Sequence, residues 1–279
     1  MRFFFALILT LLPALAHAAP QTATINSAQI SYEVCGAESA PAVVLLHDGL
    51  ANAALWDPVW ANLCEKFHVL RYDRRGYGRS PAAKEVHSPT DDLAALMRHA
   101  GFAHAHLIGA FTGAAIALDF VIDYPEMSDR LVLATPTASG FRTSESMIRR
   151  LQRIEEPIRK GDMDAVIAVI NADPHFMGPQ STTARDKLAV ILKESPGDLG
   201  EHPRQRRRSD TARFLREIYS PTLIVAGSRD DPFNLAIAGV MDNEMRAAAV
   251  QVIPEGGHLA YFEQPVLFVS MVSAFLADC

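Results

Sequence analysis

A regular rhythm runs along this chain of 279 residues and limits its folds sharply. Short runs rich in aliphatic and β-branched residues alternate with stretches of helical periodicity. Ala42–Leu46 (Ala-Val-Val-Leu-Leu) is apolar throughout, as a strand covered on both faces would be. Gln29–Val34 alternates polar and apolar residues, the pattern of an edge or antiparallel strand. His68–Tyr72, a strand beginning at His106–Ile108, Leu131–Ala134, Thr222–Ala226 and Val250–Ile253 complete a set read as buried strands. Between them, Asp91–His99 puts Leu93, Leu96 and Met97 on one stripe, and Ala114–Tyr124 is an apolar helix. Pro265–Leu276 closes the chain as a helix with proline in its first turn. Strand–helix alternation of this kind predicts an α/β fold, a mostly parallel twisted sheet with helices on both faces.

One stretch breaks the rhythm. From about Ser139 to Glu217 the sequence shows no convincing strand and reads instead as amphipathic helices: Met147–Ile158, Asp162–Ile170, Thr183–Leu192 and Asp210–Tyr219. A helical insertion (about 138–219) between two sheet strands predicts a cap over the sheet's carboxyl edge, where ligands bind in such folds. Met147, Ile148, Ile167, Ile170, Phe176 and Met177 read equally as cap core or as the lining of a site for a small apolar molecule. The basic cluster Arg204, Arg206, Arg207 and Arg208 reads as a solvated cap surface, because charge runs usually face water.

Residues 1–18 read as a secretory signal peptide rather than as part of the fold. Arg2 supplies the positive start, Phe3–Leu12 the apolar segment, and Ala16-His17-Ala18 the small-x-small cleavage site. The apolar run of roughly 14 residues is short of the roughly 20 that span a bilayer. The expectation is a periplasmic or secreted domain of residues 19–279, with no stable membrane insertion after cleavage. Export would place the cysteines in an oxidising compartment, where Cys35 and Cys64 either pair or sit as small buried hydrophobes, while Cys279 ends the chain. A net charge of −6 without a basic block argues against a nucleic-acid partner. No zinc spacing, calcium loop or dinucleotide fingerprint is present, so no metal or cofactor is expected.

Four landmarks, in order, resemble the α/β-hydrolase superfamily, its capped esterase and enol-lactonase branch. Leu45-Leu46-His47-Asp48-Gly49-Leu50, followed by Trp56, looks like the oxyanion loop after the third strand. Asp73-Arg74-Arg75-Gly76-Tyr77-Gly78-Arg79-Ser80 is similar to the family's Asp-x-Arg-Gly-x-Gly-x-Ser turn. Leu107-Ile108-Gly109-Ala110-Phe111-Thr112-Gly113-Ala114 stands at the place of the nucleophile elbow. Gly227-Ser228-Arg229-Asp230 and Pro254-Glu255-Gly256-Gly257-His258 resemble the acid and histidine loops. The resemblance implies the α/β-hydrolase fold with a helical cap over nearly the whole mature chain.

The elbow departs from the family pattern Gly-x-Ser-x-Gly. Gly109 and Gly113 are present, but the middle residue is Phe111, whose ring has no nucleophilic atom. The usual acyl-enzyme route therefore cannot run through this position. The resemblance pairs His258 with Asp230, or with the adjacent Asp231. It makes the backbone N–H groups of Gly49 and Thr112 the oxyanion hole. The Thr112 hydroxyl is expected to cap the helix that follows. Asp48 stands where the family usually has glycine. It is read first as turned outward or capping a helix, and second as a general base facing the site. His47 is read as shaping the loop. Three functions follow: a non-covalent hydrolase or lyase run by an Asp230–His258 dyad on a small apolar molecule, a silent pseudo-hydrolase that binds a ligand or partner in the old pocket, and an esterase with a displaced nucleophile.

Overall fold

Eight strands form one sheet in the order β1-β2-β4-β3-β5-β6-β7-β8. They are β1 (Gln21–Ile25), β2 (Ala28–Cys35), β3 (Ala42–Leu46), β4 (His68–Tyr72), β5 (Ala105–Ala110), β6 (Ser128–Ala134), β7 (Thr222–Gly227) and β8 (Ala248–Ile253). The β1–β2 and β2–β4 pairs are antiparallel; every later pair is parallel. The chain is seen here in a computed structural model, which describes residues 19–173, 175–195 and 204–277. The proposed leader, residues 1–18, and Cys279 lie outside the described residues. No helix among those described is long and apolar enough to cross a membrane.

Helices α1 (Asp57–Cys64), α2 (Pro89–His99), α3 (Thr112–Asp123), α7 (Pro232–Glu244), α8 (Ala260–Glu263) and α9 (Pro265–Ala277) accompany the sheet. Its two faces bury separate apolar layers. Val43, Leu45, Val69, Ile108 and Val132 point into one, with α1, α9 and the cap; Val44, Leu46, Leu70, Leu107 and Leu131 point into the other, with α2, α3 and α7. This alternation along strands that are apolar throughout is what a sheet covered on both sides requires. β8 departs from the expectation of a buried strand: only Ile253 in it is fully buried, because β8 is the sheet's last strand and has a neighbour on one side only.

Between β6 and β7 lie α4 (Glu145–Lys160), α5 (Met163–Asn171) and α6 (Thr182–Lys193). The segment expected as a fourth helix, Asp210–Tyr219, forms only a 3-10 turn over Thr211–Glu217. Met147, Ile154, Ile170, Phe176 and Met177 bury themselves against the sheet-side core, whereas Ile148 turns outward and is 44% exposed. Arg150 of α4 is buried and reaches Asp231 at 2.5 Å and Asp173 at 2.9 Å, tying the cap to the body.

The arginine cluster is not a free solvated face. Arg207 reaches buried Asp119 of α3 at 3.2 Å, Arg208 reaches Asp123 at 2.9 Å, and Arg204 donates to the Ala83 carbonyl at 3.1 Å. Arg206 and Arg204 remain exposed, whereas Arg207 and Arg208 are half-buried. Three partners sit at Asp91 on α2 and at Asp119 and Asp123, one turn apart on α3, so the charge run is a fastener matched to acidic residues.

Cys35 at the end of β2 and Cys64 at the end of α1 form a disulfide, with Cα atoms 5.4 Å apart. It closes a loop of 29 residues, which in the chain-entropy picture stabilises by about 3.5 kcal/mol. The Cys35→Ser, Cys64→Ser double variant is expected to lose about that much in urea unfolding under oxidising buffer, and to match the reduced wild type. An unchanged midpoint would show that the bridge constrains nothing.

Candidate active site

Phe111 sits between the last residue of β5 and the first of α3, with φ +44° and ψ −103°. Left-handed backbone at a bulky residue costs on the order of 1–3 kcal/mol and persists only where its surroundings hold it. Here the glycines do so. A Cβ on Gly113 would lie 2.2 Å from the Leu46 carbonyl oxygen, and one on Gly109 would lie 2.6 Å from the backbone of Ala114. The turn is thus sharp, with a phenylalanine and no hydroxyl at its apex. The phenyl ring points at the histidine loop, its centroid 5.0 Å from that of His258 in an edge-on arrangement.

The structure brings Asp230, His258 and Asp48 into one line. His258 Nδ1 lies 3.1 Å from Asp230 Oδ1, and its Nε2 lies 3.5 Å from Asp48 Oδ2. All three side chains are buried. Asp230 Oδ1 also accepts from the Asp231 N–H at 2.7 Å and from Asn234 Nδ2 at 3.1 Å. Asp231 has other work: it caps α7 by accepting from the Phe233 N–H at 2.8 Å and holds Arg150. That leaves Asp230 as the partner of His258.

Asp48 is neither outward nor a helix cap. It is 2% exposed, and its Oδ1 accepts a hydrogen bond from the N–H of Gly49, the next residue. The Gly49 N–H, expected from the sequence as an oxyanion donor, is therefore satisfied by a carboxylate of the protein itself. Asp48 Oδ2 has no hydrogen-bond partner among the described residues, and neither do Asp230 Oδ2, Tyr261 Oη and Trp56 Nε1. The Thr112 hydroxyl does not cap α3; it accepts from the Arg74 guanidinium at 3.3 Å and lies against Gly49. The reason is position: Thr112 is already the first helical residue, and Phe111, in the cap position, has no side-chain acceptor. His47 is fully buried, with Nδ1 2.6 Å from the Asp48 carbonyl and Nε2 accepting the Arg74 N–H at 3.1 Å. Burial holds its pKa well below the ordinary value, so it is a neutral strut that shapes the loop.

The charge state of His258 decides what this site can do. Burial by itself would lower its pKa, but Asp230 on one nitrogen and Asp48 on the other carry it up to about 10. At neutral pH the ring is an imidazolium between two carboxylates. In the ordinary triad the same nitrogen faces a serine hydroxyl and must be free to accept its proton. In the imidazolium form the ring donates a proton and does not accept one.

Several participants carry no motif. Asn234 follows Asp230 by four residues on the first turn of α7, and the Asp231-Pro232 start of that helix was the signal that could have exposed it. Thr135, at φ +46°, fixes the histidine loop by donating its hydroxyl to the His258 carbonyl at 2.9 Å. Tyr261 stacks on Trp56 with ring centroids 4.7 Å apart, and both belong to the apolar layer that holds Phe111 and the inner cap residues. Among the described residues no cluster of three or more His, Cys, Asp or Glu side chains forms a metal site.

Comparison with known proteins agrees with this architecture. Residues 43–271 match the profile described as Alpha/beta hydrolase family. A Variovorax paradoxus protein provisionally named carbamate hydrolase RutD is 27% identical over 266 residues, covering 89% of this chain and 96% of its own length. The 3-oxoadipate enol-lactonase 1 of Acinetobacter baylyi is 24% identical over 254 residues, with coverages of 88% and 92%. Among solved structures, the enol-lactonase from Burkholderia xenovorans LB400 superposes with a TM-score of 0.78 at 20% identity, over 92% of this chain and all of that one.

Proposed function

This chain belongs to the alpha/beta hydrolase family, and from that premise we propose that it is an exported enzyme that moves a proton without forming an acyl-enzyme. The observation that carries the reading is the buried line Asp48–His258–Asp230, with His258 carried to the imidazolium form. Burying three charged groups is costly, and perturbed titratable groups concentrate at functional sites. Asp48 Oδ2, unpaired by any hydrogen bond, is the proton acceptor. It takes a proton from an acidic substrate carbon or from water. The released electron pair stays on the substrate or attacks its carbonyl, and the His258 Nε2–H faces the negative charge that develops. Asp230 keeps the ring charged and oriented. This reading keeps the Asp230–His258 pair and gives the base to Asp48, the second of its two sequence readings.

Phe111, Trp56, Met147, Phe176 and Met177 supply an apolar setting that suits a small hydrophobic substrate. The leader-like residues 1–18 and the Cys35–Cys64 disulfide support export. Mass spectrometry of the intact secreted or periplasmic protein should find it beginning at Ala19; a retained leader would overturn that part.

Nitrobenzisoxazole, which opens when a base removes one carbon-bound proton, tests the base directly. Wild type is expected to turn it over, and Asp48→Asn to be slower by about 10²-fold or more. A serine-directed fluorophosphonate should leave wild type unlabelled. The competing reading, a silent binding pocket, draws on the Gly49 N–H being already occupied by Asp48. It predicts equal, background rates for wild type and Asp48→Asn, together with ligand-dependent melting shifts, and that result would displace the enzymatic reading.

A further inference from the structure

A small chamber lies beside the turn after β4, and neither Asp48 nor His258 lines it. Tyr72, Arg74, Arg75, His87 and Asp92 contribute to its walls, and it has room for a guest the size of a water molecule or a monatomic ion. Three of its side chains carry a buried polar atom without a hydrogen-bond partner: Tyr72 Oη, Arg74 Nε and His87 Nδ1. Tyr72 is 3% exposed and Arg74 5%.

The charges in its walls do not balance. Arg75 is neutralised in place by Asp92, through hydrogen bonds of 2.6 and 2.7 Å. Arg74 has no such partner. Its guanidinium stacks over Tyr77 at 4.6 Å and donates to the Thr112 hydroxyl at 3.3 Å, and no carboxylate pairs with it among the described residues. A buried cation without a counter-charge is costly unless something supplies one. Burial also pushes the Tyr72 phenol far up, so its hydroxyl remains a donor.

We propose that this chamber is a binding site for a monatomic inorganic anion of chloride size, held by Arg74 Nε–H and Tyr72 Oη–H as donors. The anion completes the charge of a region that otherwise holds two guanidinium groups against one carboxylate. His87 in the chamber wall is tied to the cap: its backbone N–H donates to the Arg204 carbonyl at 2.9 Å, and its carbonyl accepts from the Arg206 N–H at 2.7 Å. Gln205, between those two arginines, lines the chamber. Arg74 also donates its backbone N–H to His47 and its guanidinium to Thr112, so the anion is coupled through one residue to the oxyanion loop and the elbow.

The rival occupant is water, which can accept from Arg74 and Tyr72 while donating to His87. Thermal unfolding of the full mature protein in sodium chloride and in sodium gluconate at equal ionic strength separates the two. With chloride well above its dissociation constant the melting temperature is expected to stand several degrees above that in gluconate. Arg74→Met should lose this difference, and Tyr72→Phe should weaken the apparent chloride affinity about tenfold. Diffraction from crystals of wild type grown in bromide should give an anomalous peak in the chamber. Equal melting temperatures in the two salts, or a chamber with ordered density and no anomalous signal, would overturn the proposal.

Discussion

Between about pH 7 and pH 10 the folded protein is expected to lose stability on the order of 4 kcal/mol through a single side chain, His258. The sign follows from proton counting. The native ring keeps its proton up to about pH 10, whereas an unfolded histidine releases it near 6.5. In that window the folded state holds one more proton, so raising the pH favours unfolding. The contribution is fully present below pH 6.5 and gone above about 10. Other shifted groups act outside the window or cancel in a difference. His47, His68, His87 and His106 are lowered by burial and cost stability only as the pH falls below their unfolded value. Tyr72 and Tyr261 are raised and act on the alkaline side of it. Urea unfolding from pH 6 to 10, wild type against His258→Asn, isolates the effect. A flat difference curve would mean that His258 is neutral at physiological pH, and the assignment of Asp48 as base would fall with it.

Placing serine at the elbow is expected to fail by itself. Phe111→Ser puts a hydroxyl at the apex of a sharp turn, but two obstacles remain. Asp48 occupies the Gly49 N–H that would bind an oxyanion, and losing one such donor costs about 10²–10³ in rate. Asp48 also helps hold His258 in the protonated form, which cannot accept the serine proton. Phe111→Ser, Asp48→Gly frees the Gly49 N–H and takes away one of the two carboxylates that raise His258. It should react with a fluorophosphonate about 10³-fold faster than either single variant, a gain that no sum of the singles reproduces. Equal labelling of Phe111→Ser and the double variant would show that Asp48 does not obstruct the site.

Periodicity and local chemistry along the chain fix much of the molecule. Ala42–Leu46 and His68–Tyr72 coincide with β3 and β4 to the residue, because continuous apolar runs bounded by breakers leave few alternatives. β1 escaped notice because its alternation, Gln21 to Ile25, is brief and adjoins the leader. α7 escaped because it is apolar without a clear stripe, although Asp231-Pro232 marks its start. The arginine run was misread because a charge run looks solvated until the acidic residues on α2 and α3 are brought against it.

The site divides along the same line. The chain's sequence carries the architecture, the phenylalanine between Gly109 and Gly113, and the spacing of the loops that hold Asp230 and His258, since each depends on residue type at a short spacing. It did not determine the direction in which Asp48 points, the choice between Asp230 and Asp231, the proton on His258, or the unpaired guanidinium of Arg74. Those depend on which charges a fold brings together out of water. Coulomb interactions act through space between β3, β7 and the last loops, and no local pattern along the chain encodes them.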